Sequence, residues 1–163
     1  MRLLGAAAVA LALSGGGALA DLAGPPRIVD GDTLQVAGQR VRLFGVDAPE
    51  LDQVCQRAGH DYHCGKIARA ALWELIGGLD VSCEPERAAP ARDGVVLATC
   101  SAGGVSLNEA MVRSGWAVAD PQSADRYVAL QADAEQARRG LWRGTFEPPW
   151  QWRQAPAAGD PEG

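Results

Sequence analysis

Hydrophobic positions along this chain change period several times, and each change marks an element. Over residues 27–46, aliphatic and β-branched residues alternate with polar ones, Leu34 and Val36 before Ala37-Gly38 and Val41 and Leu43 after it. A period of two belongs to strands, so this stretch predicts two strands joined by a short turn. The pair ends at Asp47-Ala48-Pro49-Glu50, where Pro49 lacks a backbone donor and biases its predecessor away from helix. Residues 51–62 are polar and irregular, a loop bracketed by Cys55 and Cys64. Over 65–76, Ile67, Ala71, Leu72, Leu75 and Ile76 recur at helical spacing, and Gly77-Gly78 supplies a stop. Residues 80–84 and 95–101 read as strands, separated by a loop rich in Pro, Ala and Arg.

Ser106 and Glu109 have capping-box spacing, so a helix is expected over 107–114, closed by Gly115. A further helix is expected from about Ser123 to Gly140, with Tyr127, Leu130, Ala134, Ala137 and Leu141 repeating at three and four residues. Phe146-Glu147-Pro148-Pro149-Trp150 should lie extended over the domain, and residues 154–163 should form a disordered tail. Five strands, one inserted helix and two later helices predict a single α+β domain over 21–153. A small antiparallel sheet commonly closes to remove its edges, which points to a barrel without selecting which one.

The first twenty residues stand apart. Arg2 precedes an apolar run over 3–13 and the small-residue stretch Ala18-Leu19-Ala20, the layout of a secretory signal peptide over 1–20. The run is shorter than the roughly 20 residues a bilayer-crossing helix needs. Retention as a membrane anchor is the alternative. A lipid anchor would require a cysteine just after the cleavage site, and none follows. The mature protein is therefore expected in the periplasm or secreted, starting near Asp21. Nothing in the pattern calls for an obligate dimer, so a monomer is expected.

Net charge is −5 for the whole chain, and removing Arg2 makes it more negative. Global attraction to polyanions is thereby excluded, and any nucleic-acid contact must be local. Four cysteines in an exported chain read as two disulfides, with three formal pairings. His60 and His63 lie near Cys55 and Cys64, which raises a zinc site, but the spacing is unlike paired zinc motifs. The expected pairing is Cys55–Cys64, leaving Cys83 with Cys100 on two strands.

The candidate chemistry lies in acids. Asp30 and Asp32 share a strand face, and Asp47 and Glu50 follow the next strand, so a hairpin can bring them together. Hard cations such as Ca²⁺ take oxygen ligands of this kind. Asp-Gly pairs are equally ordinary turn formers, and an acidic corner can simply be solvated. Both readings stand on the residues alone.

Asp30-Gly31-Asp32-Thr33, followed by Arg42-Leu43-Phe44-Gly45-Val46-Asp47-Ala48-Pro49-Glu50, resembles the active-site hairpin of the staphylococcal nuclease (thermonuclease) family. Leu107-Asn108-Glu109-Ala110-Met111-Val112-Arg113-Ser114-Gly115-Trp116 and Arg139-Gly140-Leu141-Trp142 are similar to its two later helical segments. The resemblance covers residues 27–152. It implies a five-stranded OB-fold barrel with three helices, and Ca²⁺-dependent cleavage of DNA or RNA phosphodiesters. By position, it implies that Asp32 and Asp47 ligate the metal, with the main-chain carbonyl of Ala48, while Asp30 and Thr33 support the ligands from behind, Asp30 by orienting waters on the ion. Glu50 would orient or deprotonate the attacking water, and Arg42 would hold a phosphate oxygen. Alternation puts Arg42 and Asp47 on opposite faces, so their convergence requires a bend, expected at Gly45.

One departure bears on activity. The family's second arginine, in the loop before the last barrel strand, corresponds to Val95 in Arg92-Asp93-Gly94-Val95-Val96. Losing one preorganised donor of this type typically costs about 10²–10³-fold. Arg92, Arg87 or another mobile cation could partly substitute, since the loop is long. The alternative is a degenerate OB module that binds nucleic acid or a protein partner without cutting. Trp142, Trp150 and Trp152 could stack bases, although packing the terminus is the expected role. Arg138, Arg139, Arg143 and Arg153 could form a local basic patch or favour a helix dipole.

Overall fold

A computed structural model describes residues 22–87, 93–120 and 125–154. The expected signal segment 1–20, the tail 155–163, Arg92 and the helix start at Ser123 lie outside them. The strands are β1 (Leu22–Gly24), β2 (Arg27–Ile28), β3 (Thr33–Val36), β4 (Gln39–Leu43), β5 (Val46–Asp47), β6 (Cys55–Arg57), β7 (His60–Tyr62), β8 (Val81–Pro85), β9 (Val95–Ala102), β10 (Val105–Ser106) and β11 (Val118–Ala119). The helices are α1 (Cys64–Ile76), α2 (Leu107–Arg113), α3 (Val128–Gln136) and α4 (Pro149–Trp152).

The main sheet runs β1-β8-β9-β4-β3-β2, with β10 added to β9. All pairings are antiparallel except β4 with β9, which run parallel with Arg42 opposite Leu97. A parallel pair needs a crossover, and α1 and β8 provide it. The sheet is curled enough for β1 to meet β3, but among the described residues the hydrogen-bonded ladder runs open from β1 to β2. The architecture is thus mixed α+β, consistent with an OB-like arrangement.

The β3–β4 hairpin follows the alternation. Leu34, Val36, Val41 and Leu43 are buried, and Leu34 faces Val41 in register. Ala37 and Gly38 both have positive φ, 49° and 79°, the condition for a two-residue turn whose twist matches the strands. The residues preceding Asp30 fold into a separate strand, β2, because Asp30-Gly31-Asp32 is itself a turn closed by Val29 N–H donating to Thr33 O at 2.9 Å.

Three other expectations change. In α1 the buried stripe is Ala68, Leu72 and Ile76, while Ile67 is exposed. α3 ends at Gln136 rather than near Gly140, because Arg138 takes a left-handed φ of 49°. Tyr127 and Leu141 pack from single 3₁₀ turns on either side of it. Near the C terminus the chain coils into α4 instead of staying extended. Pro149 is tolerated at the first helical position, where an N–H would have no partner.

Both disulfides form as expected. Cys83 and Cys100 are cross-strand partners on β8 and β9, and Cys55 joins Cys64 at the start of α1. That overturns the zinc reading, since both thiols are consumed, and His60 and His63 are exposed. Two disulfides suit an oxidising compartment. Among the described residues no helix is long and apolar enough to cross a membrane.

Candidate active site

The acidic corner is assembled by the end of β4, a bend and the start of β5. Gly45, with φ 78°, supplies the bend, and its carbonyl accepts the Asp120 N–H at 3.0 Å. A side chain is disfavoured in that conformation. The bend reverses the strand alternation, so Arg42 and Asp47 converge: Arg42 Nη2 donates to Asp47 Oδ1 at 2.5 Å and to Asp32 Oδ2 at 3.1 Å.

Asp32 is held from several directions. Thr33 Oγ1 donates to its Oδ1 at 2.8 Å, and the Ala48 N–H donates to its Oδ2 at 3.0 Å. Asp30 accepts the Asp32 N–H at 3.0 Å, so it shapes the turn that presents Asp32. Asp32 and Asp47 are almost fully buried, at 4% and 3% exposure. Burial pushes the Asp32 carboxyl up from its ordinary value against the opposing pull of Arg42, and Asp30 adds to the rise. Burial likewise raises Asp47, opposed by its bonds to Arg153 and helped by the nearby Asp32 charge. Burial alone would lower Arg42, but Asp32 and Asp47 carry it above the usual guanidinium value.

Two participants went unread in the sequence. Arg153, just past α4, donates from Nη1 to Asp47 Oδ1 at 2.9 Å and to Glu50 Oε1 at 2.6 Å, and from Nη2 to Asp47 Oδ2 at 2.8 Å. Its bonds to Asp47, and then to Glu50, lift it well above the ordinary guanidinium value. Gln53, fully buried, accepts the Glu50 N–H at 3.2 Å and donates to the Glu147 carbonyl at 2.7 Å. A buried polar side chain must find partners, and Gln53 finds them on both sides of the corner. Gly65, at the start of α1, lies so close that any Cβ there would collide with the Glu50 carbonyl. Neither residue belongs to a local motif, and the only hint for Arg153 was its place in a loose group of late arginines.

The rest of that group acts elsewhere. Arg139 donates to the Arg113 carbonyl and Arg143 to the Arg138 carbonyl, so they satisfy free backbone oxygens. Trp142 packs edge-on against Phe146, with ring centroids 4.9 Å apart. Trp150 instead lines a cavity of about 440 Å³ beside Arg42, Phe44, Asp47, Leu97, Asp120 and Arg153. Val95 sits opposite Arg40 on β9, two residues before Leu97 and on the same strand face. Arg87 is exposed beyond β8 and does not line this cavity.

Among the described residues, no group of three or more His, Cys, Asp or Glu side chains converges to hold a metal by itself. Donor chemistry and charge at the corner nonetheless suit a hard cation. Among the described residues, Asp32, Asp47 and Glu50 pair with Arg42 and Arg153, and Asp30 lies beside Asp32, so four formal negative charges stand against two positive ones. A cation held by Asp32 and Asp47 would have to share or displace the Arg42 donor that bridges them, and would take its remaining oxygens from main chain and water, as Ca²⁺ does.

A family model described as staphylococcal nuclease homologue matches residues 40–144. The chain belongs to that family. Among its relatives, the succinoglycan biosynthesis protein ExoI of Rhizobium meliloti (strain 1021) is 36% identical over 153 residues, covering 90% of this chain and 78% of the relative. The family match begins after Asp32 and Thr33 and stops before Trp150 and Arg153.

Proposed function

We propose that this protein is an exported, Ca²⁺-dependent nuclease that hydrolyses DNA or RNA phosphodiesters, on an OB-type barrel of five strands formed by the curled sheet. The observation that supports it most is the meeting of Asp32, Arg42, Asp47 and Glu50, drawn from separate elements, beside one solvent-open cavity. Family membership and two disulfides support the activity class and the oxidising location.

A phosphodiester resists attack because its own charge repels nucleophiles. Arg42, anchored by Asp32 and Asp47, has N–H donors left over for a phosphate oxygen and can balance charge as it builds there. Glu50, tied through its N–H to Gln53, is the acceptor for the proton of the attacking water, a role typically worth about 10²–10⁴-fold. Asp32 and Asp47, with the Ala48 carbonyl, would hold Ca²⁺, which when bound supplies Lewis-acid neutralisation of the phosphoryl oxygens. Thr33 and Asp30 keep Asp32 oriented.

The test is degradation of plasmid DNA and of RNA by the purified protein, with Ca²⁺ or with chelator. Chelator-sensitive cleavage should exceed that of Asp32→Ala, and Glu50→Gln should lower kcat by roughly 10²–10⁴-fold. Cleavage no greater than in Asp32→Ala sinks the enzyme reading. The second reading, a module that binds nucleic acid or a protein without cutting, is favoured by Val95 and by the guanidinium groups already seated on the carboxylates. Oligonucleotide binding without cleavage would select it. The relative's name concerns succinoglycan biosynthesis, so a part in such biosynthesis is a compatible physiological setting.

A further inference from the structure

We infer that the C-terminal segment completes the substrate site: Arg153 is a second phosphate-holding residue beside Arg42, and Trp150 is the wall on which a base stacks. The inference rests on the nuclease reading and extends it to residues beyond the family match, which stops at 144.

The geometry is that of two forks sharing one anchor. Asp47 Oδ1 accepts from both Arg42 Nη2 and Arg153 Nη1, which holds the two guanidinium groups side by side. A guanidinium carries five N–H donors. Arg153 commits three of its donors to Asp47 and Glu50, and Arg42 commits two to Asp32 and Asp47. Each side chain is about one-third exposed, 33% for Arg42 and 36% for Arg153, and both line the 440 Å³ cavity. Asp47 and Asp120 line it too, so the cavity has no large positive excess, and a phosphate there would be held by the charged N–H donors of the two arginines. Phe44 and Trp150, both half-buried, supply its aromatic surface.

The segment that delivers Arg153 is tied down. Gln56 and Thr145 exchange both backbone hydrogen bonds at 2.9 Å, and Gln53 holds the Glu147 carbonyl. Pro149 is buried at the start of α4. Gln53 and Gln56 flank Cys55, whose disulfide to Cys64 fixes their loop against α1. Fixed donors lose less freedom when they bind than donors on a free tail. The position that lacks a donor, Val95, lies roughly 7 Å along the same strand face from the cavity residue Leu97. A cation arriving from the C terminus thus serves the cavity that β9 leaves without one.

The experiment is equilibrium binding of a fluorescein-labelled phosphorothioate oligothymidylate to the full chain in Ca²⁺, across a salt series. Arg153→Ala should weaken binding about tenfold or more and flatten the log–log salt dependence by roughly 0.7, the loss of one single-strand phosphate contact. Arg153→Lys should keep the salt slope while losing part of the affinity, because charge survives and the fork does not. Trp150→Ala should weaken binding roughly tenfold at unchanged slope. Val95→Arg placed in Arg153→Ala should restore affinity. Thermal unfolding of each variant reports whether it is folded. A parent that binds while Arg153→Ala binds equally well, or more tightly because a plug has been removed, overturns this inference alone. A parent that neither binds nor cuts overturns the nuclease reading together with it.

Discussion

Arg153 grips both carboxylate oxygens of Asp47, a residue 106 positions earlier in the chain, at 2.9 and 2.8 Å. Asp47 is thereby the keystone of the site, since the same carboxylate also accepts from Arg42. Truncating it leaves two partly buried guanidinium groups without the oxygens that accept their N–H groups.

Asp47→Ala should therefore destabilise the fold as well as abolish cleavage, because it deletes the oxygens that accept three guanidinium N–H bonds. Breaking a fully buried pair costs about 3–5 kcal/mol, and the one-third exposure of both arginines reduces this to roughly 1–3 kcal/mol. Urea unfolding measures it. An unchanged midpoint would mean that Asp47 is not the shared anchor.

Gln53→Ala should act on the corner without touching substrate. It removes the acceptor of the Glu50 N–H and the donor to Glu147, at a cost of about 1–3 kcal/mol. Limited proteolysis should then cut the segment after residue 144 faster than in the parent. A parent-like cleavage pattern would show that Gln53 does not tie that segment down.

Acid should loosen cation binding early. Burial raises the Asp32 and Asp47 carboxyls above the ordinary 3.8, so they take up protons at a higher pH than exposed aspartates. As pH is lowered, Ca²⁺ affinity by calorimetry should begin to fall before pH 3.8 is reached. The sign for metal-free stability is opposite. Between 3.8 and the raised values the folded state binds more protons than the unfolded one, so these two groups add stability as pH falls through that window and lose it as pH rises. Asp32→Asn should remove its share of that slope in chelator, and an unaltered slope would refute the assignment.

The cross-strand disulfide should contribute mainly through the unfolded chain. Cys83 and Cys100 are 17 residues apart, for which loop closure is worth about 3 kcal/mol. Cys83→Ser with Cys100→Ser should lower stability by about that amount and leave oligonucleotide affinity intact. Mass spectrometry of unreduced protein should show this bridge and Cys55–Cys64, whereas free thiols would contradict the pairing.

Local signals carried much of the molecule. Alternation at Leu34, Val36, Val41 and Leu43 defined the hairpin, Gly45 marked the bend, and Ser106 accepts the Glu109 N–H as capping spacing predicts. Each depends on residues a few positions apart, where backbone sterics and side-chain period decide the outcome. The α3 boundary was less legible, because Ala137 continues the helical spacing while the left-handed Arg138 ends the helix. Nothing in residue type announces that conformation.

By itself, the sequence determined the strand hairpin, the clustering of Asp32, Asp47 and Glu50 near one turn, and the cysteines available to staple the loops. Only the tertiary structure decided which cations meet those acids. Gln53 reaches Glu147 across 94 residues and Arg153 reaches Asp47 across 106, and no periodicity spans such distances. Their partners are chosen by the folded surface, where a buried carboxylate must find a donor and the C-terminal segment is the one lying over it.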